Sequence, residues 1–188
     1  MAKRIKKNNS NHLKDPKKRV ILASLNLALE KKWNEVSLGN IAKSANIPLI
    51  EVRKLFHSKI AILEALNRQI DTEVLANAAT ISSNGTIRDQ LFELLMLRFD
   101  ALTREKKAIT KIICCTISRD PIASFIGLKN SKVSMKLILE AAGISTKTPL
   151  GQLKVNGLLA VYMNTIFTWL KDDTPDLTKT MADLDKNL

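Results

Sequence analysis

Apolar residues in this chain recur at three- and four-residue spacing, the period of a helix with one buried face. Only 6 Gly and 5 Pro punctuate the 188 residues, too few for many short strands. The pattern predicts an all-α fold. A first helix is expected over 16–32, with Asp15 as cap, Pro16 in the first turn, and Val20, Ile21, Ala23, Leu25, Leu27 and Ala28 as its apolar side. Ser37 is a cap for a second helix over 38–45, and Asn46-Ile47 forms a short turn. Pro48 opens a third helix that ends near Phe56, His57-Ser58 breaks it, and Ser58 caps a fourth over 59–77. Further helices are expected over 86–102, 105–118, 130–142 and 150–169, with a short last one reaching residue 188. Asp120-Pro121 turns the chain, and Gly143 stops a helix.

Two short helices joined by a tight turn make a helix-turn-helix if small residues let them meet and the second helix keeps one face free. Ile41, Ala42 and Ala45 supply the contact. Ile47, Val52, Leu55 and Phe56 form the buried face of the second helix, and Leu49, Ile50, Arg53, Lys54 and His57 fall opposite at helical spacing. Ser37 and Asn40 sit at the start of the first of the two helices. Lys59 stands at the start of the next, where amide groups and an ammonium together attract a phosphate.

Val36-Ser37, Ile41-Ala42, Ala45, Ile47, Phe56, Ser58-Lys59 and Leu63 stand in the order and spacing of the TetR family of bacterial transcription regulators, which the first third of the chain resembles. The resemblance implies an N-terminal three-helix DNA-binding module and a C-terminal helical domain that forms a homodimer and encloses a small-molecule pocket. It implies DNA contacts from Ser37, Asn40, Leu49, Ile50, Arg53, Lys54, His57 and Lys59. The chain departs from the pattern where the family's turn glycine is Asn46, its serine cap is Pro48, and its recognition-helix tyrosine is Arg53. Asn46 can adopt the left-handed conformation. Arg53 changes a phosphate or base contact, so sequence preference is not inherited.

Charge sharpens this reading. The chain carries a net charge of +12, and residues 1–70 hold fifteen Lys/Arg against five Asp/Glu while the remainder is close to neutral. One end is thus built for a polyanion. Aromatics make up only 4%, which disfavours single strands stacked on rings and favours duplex DNA. The expected organisation is a basic arm over 1–14, a helix-turn-helix domain over 15–80 and a helical dimerisation and ligand domain over 81–188, with Ser82–Gly85 as the loop near the boundary. The helix over 59–77 can bridge both parts.

Cys114 and Cys115 are adjacent in an apolar stretch and read as buried free thiols, with a redox sensor as the sharper alternative. No signal peptide pattern and no 18-residue apolar run occur, so a cytoplasmic protein without integral membrane association is expected. Only His12 and His57 are histidines, and no metal spacing, phosphate loop or nucleophile motif is present. No enzyme, no cofactor and no metal site are expected. Asp172, Asp173 and Asp176 read as capping and turn residues, a cation site being the alternative.

The C-terminal stretches are strongly apolar, and 150–169 is apolar on nearly every face. Tyr162, Met163, Phe167 and Trp169 are candidate pocket or interface residues for a hydrophobic small molecule or lipid. Here Leu94–Leu102, Asp120-Pro121, Ser134-Met135 with Glu140–Ile144, and Trp169–Leu184 resemble the subgroup related to the ubiquinone-biosynthesis lipid-binding protein of TetR-like fold. Two functions therefore stay open: a ligand-responsive homodimeric repressor, or a lipid-binding accessory protein linked to ubiquinone biosynthesis. The basic first module, and a chain that stops at Leu188 before the amphipathic membrane-binding helix the lipid protein carries, argue for the first.

Overall fold

In the computed structural model, residues 15–78 and 85–188 are described; the basic arm and most of the expected loop lie outside them. These residues form α-helices and no strand. They divide into two compact units, with breaks at 67/68, 106/107 and 124/125. The first unit takes residues up to Asn67 together with Lys107–Ser124; the second takes Arg68–Lys106 and Phe125–Leu188. No described helix is long and apolar enough to cross a membrane.

In the first unit, α1 (Pro16–Glu30) starts where Asp15 accepts from the Lys17 amide at 2.9 Å, with Pro16 at its head. Its buried side is Val20, Ile21, Ala23, Ser24, Leu25, Leu27 and Ala28. A 3-10 turn, Trp33–Glu35, follows and buries Trp33; helical periodicity gives no hint of so short an element. A capping box opens α2 (Leu38–Ala45): Ser37 Oγ accepts from the Asn40 amide at 3.1 Å, and Asn40 Oδ1 accepts from the Ser37 amide at 2.9 Å. Asn46 then turns left-handed at φ 52°, and the Ile47 amide reaches back to the Ala42 carbonyl at 3.0 Å. This is the Schellman geometry that glycine usually serves. Next come α3 (Leu49–Leu55) and α4 (Lys59–Ala78), the latter begun by Ser58 Oγ accepting from the Ala61 amide at 3.1 Å. α1 packs on α2 and α2 on α3, the three-helix arrangement of a helix-turn-helix domain. α6 (Lys106–Arg119) brings Ala108, Ile109 and Ile112 to a buried side, and Lys111 Nζ donates to the Leu29 carbonyl at 2.6 Å.

The second unit is a helical domain. It contains the C-terminal part of α4, then α5 (Ile87–Thr103), opened by a capping box of Thr86 and Asp89. Most of α7 (Pro121–Ala141), then α8 (Pro149–Lys171) and α9 (Thr178–Asn187) complete it. α9 packs on α8 and α5. The Phe99 ring sits 5.5 Å from that of Tyr162 and 6.3 Å from that of Trp169. A Cβ at Gly151 would stand 2.4 Å from the Ser145 carbonyl oxygen, so only glycine lets α8 start this close to the preceding loop.

Two expectations need correction. The helix expected over 130–142 starts at Pro121, because Asp120 Oδ1 accepts from the Ala123 amide at 2.9 Å and Pro121 occupies the first turn; the turn is itself a cap. The cysteines are not buried: Cys114 is exposed and Cys115 half-buried. On α6 the buried side is set by Ala108, Ile109 and Ile112; Cys114 projects nearly opposite and Cys115 at the edge. α8 divides its apolar positions between a buried and an exposed side. It buries Gly151, Val155, Leu158, Tyr162, Thr165, Ile166 and Trp169, and leaves Leu150, Leu153 and Phe167 exposed.

Candidate DNA-binding surface

The two ends of α3 are fixed by backbone chemistry. Proline cannot donate, and Pro48 sits ahead of the helix where no partner is required. Phe56 leaves it in extended conformation, its amide returning to the Val52 carbonyl at 2.8 Å. Ile47, Val52 and Phe56 are buried, holding the helix against α2. That anchorage turns Leu49, Ile50, Arg53, Lys54 and His57 to solvent together, as the spacing predicts. Arg53 and Lys54 form no ion pair among the described residues, so no described carboxylate neutralises their charges. Both also lie in the last turn of α3, where cations favour the helix dipole.

The other candidates are held differently. Ser37 Oγ donates to Asn40 Oδ1 at 2.7 Å within the capping box, so Ser37 is committed to its own helix. The side-chain nitrogen of Asn40, Nδ2, is not used by that box. Lys59 is half-buried: Nζ donates to the Trp33 carbonyl at 2.7 Å and stands 5.0 Å from the centre of the Trp33 ring. Burial pushes its ammonium below the ordinary lysine value, with Cys115 and Asp120 acting against the shift. Cys115 Sγ lies 3.7 Å from Asn34 Oδ1 in the same neighbourhood.

Two residues of this surface escape sequence reasoning. Arg19 donates from Nη2 to the main-chain oxygens of Ala45 and Asn46, at the turn itself. Trp33 receives Lys59. These contacts span 26 or 27 residues, and nothing local in the sequence signals them.

In the second unit the candidate pocket residues do not gather at one place. Tyr162 and Trp169 are buried in the core around Phe99; Met163 is half-buried, and Phe167 is half exposed. Beside Tyr162 lies a polar group the sequence does not announce. Arg98 on α5 is 1% exposed, its Nη1 paired with Asp71 Oδ1 on α4 and its Nε donating to the Tyr162 hydroxyl at 3.2 Å. Ser134 Oγ donates to Asp71 Oδ2 at 2.9 Å. Burial opposes the Arg98 charge, but Tyr162 and Asp71 outweigh it and hold the guanidinium firmly protonated. Asp172 does the work of a cap, accepting from both the amide and hydroxyl of Thr180, at 2.8 and 2.7 Å, and from Thr174. Among the described residues no group of three His, Cys, Asp or Glu could hold a metal ion.

No protein-family profile and no curated protein matches the sequence. Solved structures match the fold over nearly the whole chain. A TetR transcriptional regulator from Nitrosomonas europaea is 21% identical, with a TM-score of 0.74 over 92% of this chain and 96% of its own. One from Rhodococcus sp. RHA1 is 22% identical, with a TM-score of 0.63 over 90% and 93%. A TetR-family regulator from Streptomyces coelicolor is 16% identical, with a TM-score of 0.55 over 89% and 78%. At these identities the likeness establishes the fold: an N-terminal helix-turn-helix domain followed by a helical domain.

Proposed function

We propose that this protein is a sequence-specific regulator of transcription that binds double-stranded DNA, and that it acts as a ligand-responsive homodimeric repressor. The observation that carries the reading is the free face of α3. A short helix is clamped on one side by Val52 and Phe56, and offers uncompensated Arg53 and Lys54 on the other. Such a helix enters the major groove while cationic side chains near it neutralise phosphates. Two copies related by a two-fold axis would address half-sites one helical turn apart, about 34–36 Å.

Dimerisation is supported by the exposed apolar side of α8, and the effector by Thr165. The Thr165 hydroxyl is buried without a hydrogen-bond partner among the described residues, on the same side of α8 as Tyr162 and Trp169. An orphan hydroxyl in an apolar core suits a hydrophobic ligand that carries one polar group. A ligand bound there would favour a domain arrangement that no longer fits two successive grooves. The test is selection of duplex fragments by the full-length chain, followed by titration at several salt concentrations. A specific fragment whose affinity falls steeply with salt supports the reading. Recovery of no specific fragment overturns it.

A further inference from the structure

Two large aliphatic side chains of the helix-turn-helix are left in the open, at the head of α3: Leu49 is 44% exposed and Ile50 64%. The other aliphatics of the motif are not wasted in this way; Ile41 and Val52 are fully buried and Ile47 nearly so. At about 100° per residue, Ile50 points roughly 160° away from Val52, which faces the core. Arg53 and Lys54 fall about 60° and 40° to either side of Ile50, one turn further along. The centre of the free face is therefore apolar and its flanks are cationic. The cations match a polyanion, and the seven-residue helix is of a size to enter a groove.

An isoleucine has no donor or acceptor and cannot read the hydrogen-bonding edges of bases. The major groove of unmodified DNA presents one apolar feature, the 5-methyl group of thymine. We infer that Ile50, with Leu49 beside it, reads thymine methyl groups, so that each half-site carries a thymine within one or two base steps of the base pair met by Arg53 or Lys54. The spacing follows from geometry: one helical turn is about 5.4 Å and one base step about 3.4 Å. The inference rests on the DNA-binding reading above and gives it a sequence class.

The experiment takes the duplex enriched by the full-length protein and replaces its thymines one at a time by deoxyuridine, which lacks only the methyl group. Burying one methyl against an aliphatic side chain changes affinity roughly fourfold. The unaltered protein should lose about that factor at one or two thymines per half-site and little elsewhere. Ile50→Ala should bind more weakly and lose its sensitivity at one of those positions, while Ile50→Val retains most of it. An enriched site indifferent to uracil throughout overturns the inference and leaves DNA binding standing. Sensitivity that persists unchanged in both Ile50→Ala and Leu49→Ala also overturns it. Failure to enrich any duplex overturns both. The uracil series uses the unaltered chain, so its outcome does not depend on how the variants fold.

Discussion

The guanidinium of Arg19 donates from Nη2 to the main-chain oxygen of Ala45 at 2.6 Å, and to that of Asn46 at 2.9 Å. The last carbonyls of a helix have no partner within it, and α2 ends at Ala45. Arg19 satisfies them from α1, at the turn that sets the angle between α2 and α3. Arg19→Ala should therefore lower stability by about 1–2 kcal/mol, the range for hydrogen bonds to a charged group with partial exposure. It should weaken DNA binding further by loosening α3. Urea unfolding followed by tryptophan fluorescence checks the first effect, and titration of a duplex the second. Arg19→Lys should recover only part, since one ammonium cannot reproduce the planar fork.

Lys59 and Arg53 are expected to behave differently despite lying close in sequence. Lys59 braces Trp33 through its carbonyl and ring face, while Arg53 stands exposed on α3. Lys59→Ala should cost about 1 kcal/mol of stability from the lost hydrogen bond and cation–π contact. Arg53→Ala should leave stability within about 0.5 kcal/mol, as at most surface positions. It should instead remove about 1–3 kcal/mol of DNA affinity and blur sequence preference. Equal unfolding midpoints for Lys59→Ala and the parent would show that its ammonium is not a brace.

The helix-turn-helix was readable because its signals are local. Ser37 with Asn40, Asn46 at the turn and Ser58 before Lys59 each act within a few residues, and the spacing of Val52 and Phe56 gives the free face of α3 directly. Asp120-Pro121 carried a local signal too, but the same pair serves a turn or a cap, and the residues after it decide which. What the sequence hides is polar contact over distance. Arg98 reads as the surface residue of an amphipathic helix, yet its partners lie 27 and 64 positions away in the chain. Cys114 misleads for the opposite reason: it sits in an apolar run but off the buried side of α6.

The buried pair of Asp71 and Arg98 makes single and double replacements diverge. Asp71→Ala leaves a guanidinium in the core, so stability should fall by about 3–5 kcal/mol. Asp71→Leu combined with Arg98→Met replaces both charges by apolar groups of similar volume and should cost far less than either change alone. Ser134→Ala should cost about 1 kcal/mol through the lost bond to Asp71. A double-mutant cycle by chemical denaturation measures the coupling; additive single effects would show that the pair is not energetically linked.

Acid should act through Asp172. Burial alone would raise its pKa, but hydrogen bonds from the hydroxyls and amides of Thr174 and Thr180 outweigh that and hold it far below the ordinary carboxylate range. A carboxyl depressed in the folded state stabilises above its unfolded value, about 3.9, and that stability is lost as pH falls from there toward the folded value. Unfolding free energy should thus decline below about pH 4. Asp172→Asn should be less stable at neutral pH and should show a shallower decline, measured by thermal unfolding across pH 2–7 (roughly the interval in which carboxylates titrate).

The outward side of α8 carries the strongest prediction about assembly. Leu150, Leu153, Gly157, Ala160, Asn164 and Phe167 are all exposed, and they follow one another at alternating steps of three and four. That is the a/d spacing of a helix that packs lengthwise against another. The seam is apolar at its ends, where Leu150, Leu153 and Phe167 are 64%, 66% and 50% exposed. It is narrow in the middle, where a Cβ at Gly157 would meet nothing within 4 Å and a second helix can approach closely. An isologous two-fold contact sets each seam on its own copy, and the polar Asn164 fixes the register. The chain should therefore sediment at about twice its 21.0 kDa. Leu153→Glu places like charges in the seam and should yield a helical monomer that binds a single half-site weakly. Leu22→Glu, at an exposed leucine of α1, should remain dimeric and controls for charge alone. A monomeric parent chain, or a Leu153→Glu variant that stays dimeric, would rule this seam out as a dimer contact.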